Sequence, residues 1–190
     1  ENTTELPFQE QYIREGLSLF KQFFGYHSKT FIAPCYTWST KLHPVLKRNG
    51  ISGLQGSFVQ KEPVSGTSHQ FKKVRNYTGK VTPCGMCYLT RNVFFEPSLD
   101  PVNPVEKALA HIKIAFQWHK PAIIGSHRLN FIGGLDKSNR DKNLRMLNDL
   151  LNRIKSNWPD VEFWSSDELA EHILQDKAGL AKEPLPEKIT

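Results

Sequence analysis

The chain has 190 residues, long enough for one domain with a core of its own, and its 38% hydrophobic and 23% charged content excludes a disordered polar segment. No apolar run approaches the roughly 20 residues of a membrane-crossing helix, so no membrane span is expected. The formal charge of +6 is scattered, with a mild concentration between Lys61 and Lys80 and no recognisable nucleic-acid module, so that stretch is read as a solvated loop and no nucleic-acid partner is expected.

Phe8, Tyr12, Ile13, Leu17, Phe20 and Phe24 recur at helical spacing, and Gly25 supplies the stop. Thr30 to Ala33 is a short apolar run ending at Pro34, followed by the aromatic loop Cys35-Tyr36-Thr37-Trp38. Ser39 caps a predicted helix carrying Leu42, Val45 and Leu46, which Asn49-Gly50 closes, and Ile51 to Leu54 reads as a strand. Residues 56–79 are polar and without a period, which predicts a long surface excursion able to serve as a rim or lid. Tyr88 to Phe95 is a further strand ending at Glu96-Pro97, with Phe94-Phe95 read as core.

Asn103-Pro104-Val105-Glu106 has the cap, proline and carboxylate of a helix start, and Val105, Leu109, Ile112 and Phe116 follow as its apolar stripe. His111 and His119 on that helix lack a third ligand and are read as surface or packing residues. Ala122 to Gly125 is a buried-type strand, and Ser126, His127, Arg128 and Asn130 follow where it stops. Ser138 and Asp141 predict the cap of a long helix with Leu144, Leu147, Leu151, Ile154 and Trp158 inward. Val161 to Trp164 reads as the last strand, Ser165 and Glu168 as the cap of a final helix, and the residues from Lys177 onward as a mobile tail. Cys84-Gly-Met-Cys87 allows half a zinc site, a disulfide or two thiols in a turn, and the incomplete zinc pattern favours the last.

One apolar strand per helix argues for an α/β fold of alternating β/α units with a mainly parallel sheet, in a single domain over residues 1–176. Right-handed crossovers then gather the loops after the five strands on one face, bringing Tyr36, Trp38, Glu96, His127, Arg128 and Asn130 towards a common cleft. Five strands are fewer than a closed barrel needs, and the first helix has no strand before it. The chain, which starts at Glu1 rather than Met, is therefore expected to be the later part of a distorted (β/α) barrel begun upstream, or else an open five-stranded sheet.

Three segments carry a family resemblance: Phe31-Ile32-Ala33-Pro34-Cys35-Tyr36-Thr37-Trp38 with the helix ending at Gly50, the strand Ala122 to His127, and Asn157-Trp158-Pro159 through Ser165-Ser166-Asp167-Glu168-Leu169. Together they resemble the carboxyl-terminal part of the polysaccharide deacetylase family, carbohydrate esterases with the nodulation-type deacetylase homology region. The resemblance implies metal-dependent hydrolysis of N-acetyl groups on an acetylated oligo- or polysaccharide, with a divalent metal, zinc in keeping with the family, as cofactor. It implies His127 as the general acid; in the cleft that the topology gathers, Tyr36 and Trp38 are read as an apolar wall for the sugar ring and Glu96, Arg128 and Asn130 as further substrate-binding residues. The family's paired aspartates and its two histidines four apart do not occur in this chain, so no metal ligand is assigned to it. Ile32 stands where the family has an orienting arginine; Arg91 is a substitute or faces solvent, the latter being preferred. A second reading from another class is a noncatalytic carbohydrate-binding relic of the same fold that keeps the aromatic wall. A third is a partner-binding scaffold that uses the basic loop. The sequons at Asn2 and Asn76 carry little weight.

Overall fold

The apolar runs become short strands and the amphipathic runs become helices, in the order α1 (Glu5–Phe24), β1 (Thr30–Ile32), α2 (His43–Arg48), β2 (Gly53–Gly56), β3 (Val59–Pro63), β4 (Phe71–Arg75), β5 (Cys87–Thr90), β6 (Val93–Phe94), α3 (Pro104–Gln117), β7 (Ile124–Gly125), α4 (Lys137–Asn157) and α5 (Ser166–Leu180). The fold is mixed α/β with a mostly parallel sheet, and no closed barrel is formed among the described residues. The computed structural model describes residues 5–64 and 70–180, so Asn2 and most of the expected tail lie outside the described residues; Lys177 is still in α5. The chain divides into two compact units, one of residues 1–90 with 164–190, the other Arg91–Phe163.

In the first unit β1, β2 and β5 form a parallel sheet, with Thr30 beside Gly53 and Gly53 beside Cys87. Side chains alternate across it. Leu54 is fully buried in a core with Trp38, Leu46, Ile51, Met86 and Tyr88, against which Ile13 and Leu17 of α1 pack. Phe8, Tyr12 and Phe24 are more than 60% exposed, so the inward face of α1 is narrower than its apolar spacing suggests. Gly53 faces α5: a Cβ there would sit 2.7 Å from the Thr30 methyl and 3.0 Å from the Ala170 Cβ, and only glycine admits that approach. Ala170 is itself fully buried, and its carbonyl lies 3.7 Å from the Cys87 Sγ. Cys35, Cys84 and Cys87 are all free thiols; Cys87 opens β5 rather than sitting in the turn, and burial pushes its thiol up.

The excursion over residues 56–79 is corrected by the structure, which makes an antiparallel hairpin of it, with Val59 opposite Arg75 and Glu62 opposite Lys72. Its anchor is polar. Gln60 is fully buried, donates through Nε2 to the Trp38 carbonyl at 3.0 Å and accepts from Asn76 Nδ2 at 3.0 Å. Asn76 is 1% exposed and its Oδ1 accepts from Lys80 Nζ at 2.9 Å, so in the folded chain that sequon presents no free amide. Buried His43 accepts from Trp38 Nε1 at 3.5 Å and sits edge-on to Tyr88, and burial holds its imidazole below the usual value while pushing the Tyr88 phenol up to about 12.

In the second unit β6 and β7 pair in parallel, Val93 beside Ile124, over a core of Val93, Phe95, Val105, Ala108, Leu109, Ile112, Leu150 and Ile154. The expected strand over 88–95 is two strands, because Asn92 turns its amide to the Pro121 carbonyl and the Ile123 N–H at 2.9 and 2.7 Å. Of the phenylalanine pair only Phe95 is core; Phe94 is 52% exposed. The inward stripe of α4 runs through Asn143, Leu150 and Ile154, leaving Leu144 and Leu151 exposed. Its cap is Asp136, not Ser138, with Oδ1 accepting from the Ser138 and Asn139 N–H groups at 2.8 and 3.3 Å. Asn103 is left-handed at φ 51° and makes no side-chain cap, although α3 starts at Pro104 as expected. Residues 161–164 form no strand; Phe163 and Trp164 are both exposed, without the alternation a half-buried strand requires.

Gly53→Ala is expected to lower stability by about 1–3 kcal/mol, read as a reduced urea midpoint, because the backbone of α5 or β1 must give way. His43 is depressed in the folded state, so its contribution is present above an unfolded value near 6.5 and is lost as pH falls through the lower folded value. His43→Gln should therefore flatten the acid side of the stability curve over that window, measured by denaturation at a series of pH values.

Candidate functional site

Pairing of β6 with β7 decides which residues leave the sheet together. Phe95 N–H donates to the Gly125 carbonyl at 3.0 Å, and Ser126 Oγ donates to the Phe95 carbonyl at 2.6 Å. The next residue on each chain, Glu96 and His127, is thereby held side by side beyond the strand ends, where open α/β sheets carry their sites. Glu96 Oε1 accepts from the His127 backbone N–H at 3.0 Å and lies 2.7 Å from its Nδ1. The Glu96 side chain is 15% exposed and that of His127 is 68% exposed. The carboxylate is the fixed member of the pair.

Asn130 fixes it. The residue is 1% exposed at the end of a short 3-10 turn, Arg128–Asn130, and its Nδ2 donates to Glu96 Oε2 at 2.7 Å and to the His127 carbonyl at 2.8 Å. Its Oδ1 accepts from the Ser98 N–H at 3.0 Å. The sequence reading placed Asn130 against substrate; its burial instead makes it a support for Glu96. Glu96 likewise points its oxygens at His127 and Asn130. Arg128 is exposed beside them on the turn. Arg91, for which solvent was preferred, lays its methylene chain against Gly125, where a Cβ would meet Arg91 Cδ at 3.0 Å.

Tyr36 and Trp38 belong to the first unit. Trp38 is 4% exposed, crossing Phe31 edge-on and packing in the core, so it offers no face to a sugar ring. Tyr36 is half-buried against the same core, and it and Cys35 both have left-handed backbone, φ 55° and 51°. Sequence reasoning missed Ser98, Asn139 and Asn143. Asn143 is 1% exposed and its Nδ2 reaches Ser98 Oγ at 2.8 Å, the Asn130 carbonyl at 2.9 Å and Asn139 Oδ1 at 3.0 Å. The signal for it was an asparagine one helical turn after Asn139 and two turns before the buried Leu150.

An ionised carboxylate only accepts, so Glu96 requires the proton of a neutral His127 to reside on Nδ1. Among the described residues Nε2 has no hydrogen-bond partner, and the ring is largely exposed. The pair can therefore take up a proton at Nε2 and deliver it there, with Glu96 holding the ring. Among the described residues no three His, Cys, Asp or Glu side chains gather into a metal site. No family model, curated protein or solved structure matches the chain.

Glu96→Ala strands the Asn130 amide and the His127 N–H without their acceptor, and we expect it to cost about 1–3 kcal/mol by chemical denaturation.

Proposed function

We propose that this chain is the carboxyl-terminal part of a polysaccharide deacetylase-like domain, within a distorted (β/α) barrel, that hydrolyses N-acetyl groups of a carbohydrate when completed by a metal-binding half supplied by preceding polypeptide. The observation that carries the reading is the Glu96–His127 pair: a partly buried carboxylate orients an exposed imidazole at the end of a strand. The chemistry assigned to these residues is the last proton transfer. Imidazolium Nε2–H protonates the nitrogen that leaves as the C–N bond of the tetrahedral intermediate breaks, acetate departs, and the ring returns to its neutral Nδ1–H form. Arg128, exposed on the adjoining turn, is in reach of an anionic or hydroxyl-rich substrate, whereas Trp38 is assigned to the core.

In a protein extended upstream, His127→Ala is expected to lower amine release from an N-acetylated oligosaccharide by about 10²–10⁴-fold, without loss of fold. Near-normal turnover in that variant would remove the general-acid assignment. Binding of the oligosaccharide with no amine release by the wild type would establish the noncatalytic carbohydrate-binding relic instead.

A further inference from the structure

The supports of the Glu96–His127 pair form a directed chain of donors. Asn143 Nδ2 donates to Ser98 Oγ, which itself donates to Asn139 Oδ1 at 2.9 Å, and to the Asn130 carbonyl. Ser98 N–H donates to Asn130 Oδ1, and Asn130 Nδ2 donates to Glu96 Oε2. Neither asparagine tolerates reversal. A flipped Asn130 amide would set Oδ1 against the Glu96 carboxylate at 2.7 Å and Nδ2 against the Ser98 N–H at 3.0 Å, two like-facing groups in a buried place. Asn130 and Asn143 are each 1% exposed, so water does not substitute for the contacts they would lose.

We infer that Asn130, held in turn by Asn143 of α4, is the positioning residue that keeps Glu96 aimed at Nδ1 and so restricts neutral His127 to the tautomer with Nε2 unprotonated. The inference deepens the general-acid reading and rests on it for its catalytic meaning. A proton donor that has just released its proton is left with a bare Nε2 ready to be recharged, but only if Nδ1 keeps its hydrogen. With Glu96 free to turn, neutral His127 also populates the Nε2–H form, and that fraction of molecules presents a hydrogen where the lone pair is needed. The cluster also ties the site to α4: the Asn143 side chain reaches the loop after β6 and the turn after β7 together, through Ser98 and Asn130.

The test uses the full 190-residue chain with ¹⁵N-labelled histidine and long-range proton–nitrogen correlation spectra, recorded at a pH where the ring of His127 is neutral. In the wild type we expect the Nδ1–H pattern. Asn130→Asp, which keeps the shape but turns the donor into an acceptor facing Glu96, and Asn143→Ala, which touches neither Glu96 nor His127, are both expected to make Nε2–H the major form. The signals of His111 on α3 and of His119 just beyond its end report in the same spectrum that the second unit is folded; for a variant that loses them, Ser98→Ala, one hydroxyl fewer in the same chain, takes its place. An unchanged Nδ1–H pattern in folded variants would overturn the positioning inference while leaving the general-acid reading intact. An Nε2–H pattern in the wild type would overturn both.

Discussion

A carboxylate that is only 15% exposed has to have its oxygens met, and in the second unit that requirement is answered by backbone, ring and amide at once. Glu96 takes the N–H of His127, the Nδ1 of the same residue and the amide of Asn130, which satisfies both oxygens without any cation. The donors come from a turn after β7 that only the β6–β7 register brings alongside. A slip of that register would carry Glu96 away from the His127 N–H and the Asn130 amide. The strand pair is two residues long on each side, so the polar contacts beyond its ends do much to hold it in place.

The first unit solves a related problem with a different residue. Its hairpin has few apolar side chains to bury, and it is attached to the sheet by Gln60, whose amide bridges the Trp38 carbonyl and Asn76. Trp38 N–H adds a bond to the Lys61 carbonyl at 3.2 Å, and the backbone of Thr40 donates to Glu62 at 3.1 Å. Each of these is a local exchange of water for protein, modest in net terms but costly to leave half-made. The aromatic loop after β1 is thus consumed by packing and by anchoring the hairpin, which is why its tryptophan lies in the core.

Much of the helical architecture was legible in the residues themselves. The Ser165–Glu168 capping box at α5 holds, with Ser165 N–H on the Glu168 carboxylate at 2.7 Å and the reciprocal bond at 3.2 Å, and α3 buries Val105, Leu109 and Ile112 as their spacing predicts. What failed did so for identifiable reasons. The hairpin was missed because its buried member is a glutamine, which a hydrophobic pattern cannot register. The α4 stripe holds at Leu147, Ile154 and Trp158 but not at Leu144 and Leu151, because Asn143 and Leu150 occupy the inward positions beside them. At the site, the strand end before His127 was visible as a change from apolar to polar residues, and Glu96 stood just after another strand. Their partnership was not visible, since it depends on which strands pair, and Asn130 and Asn143 act through bonds that spacing in the chain does not encode.

The two units differ in how the chain supplies them. The second is one continuous run, Arg91–Phe163, so all its parts leave the ribosome in succession and can pack as they emerge. The first is split: the face of β2 and β5 around Gly53 and Cys87 is covered by α5, which is made after the whole of the second unit. Until that helix arrives, the sheet carries a bare groove shaped for Ala170, and a thiol that ends up shielded is open to solvent. Order of synthesis therefore leaves this sheet unfinished until the second unit has been made.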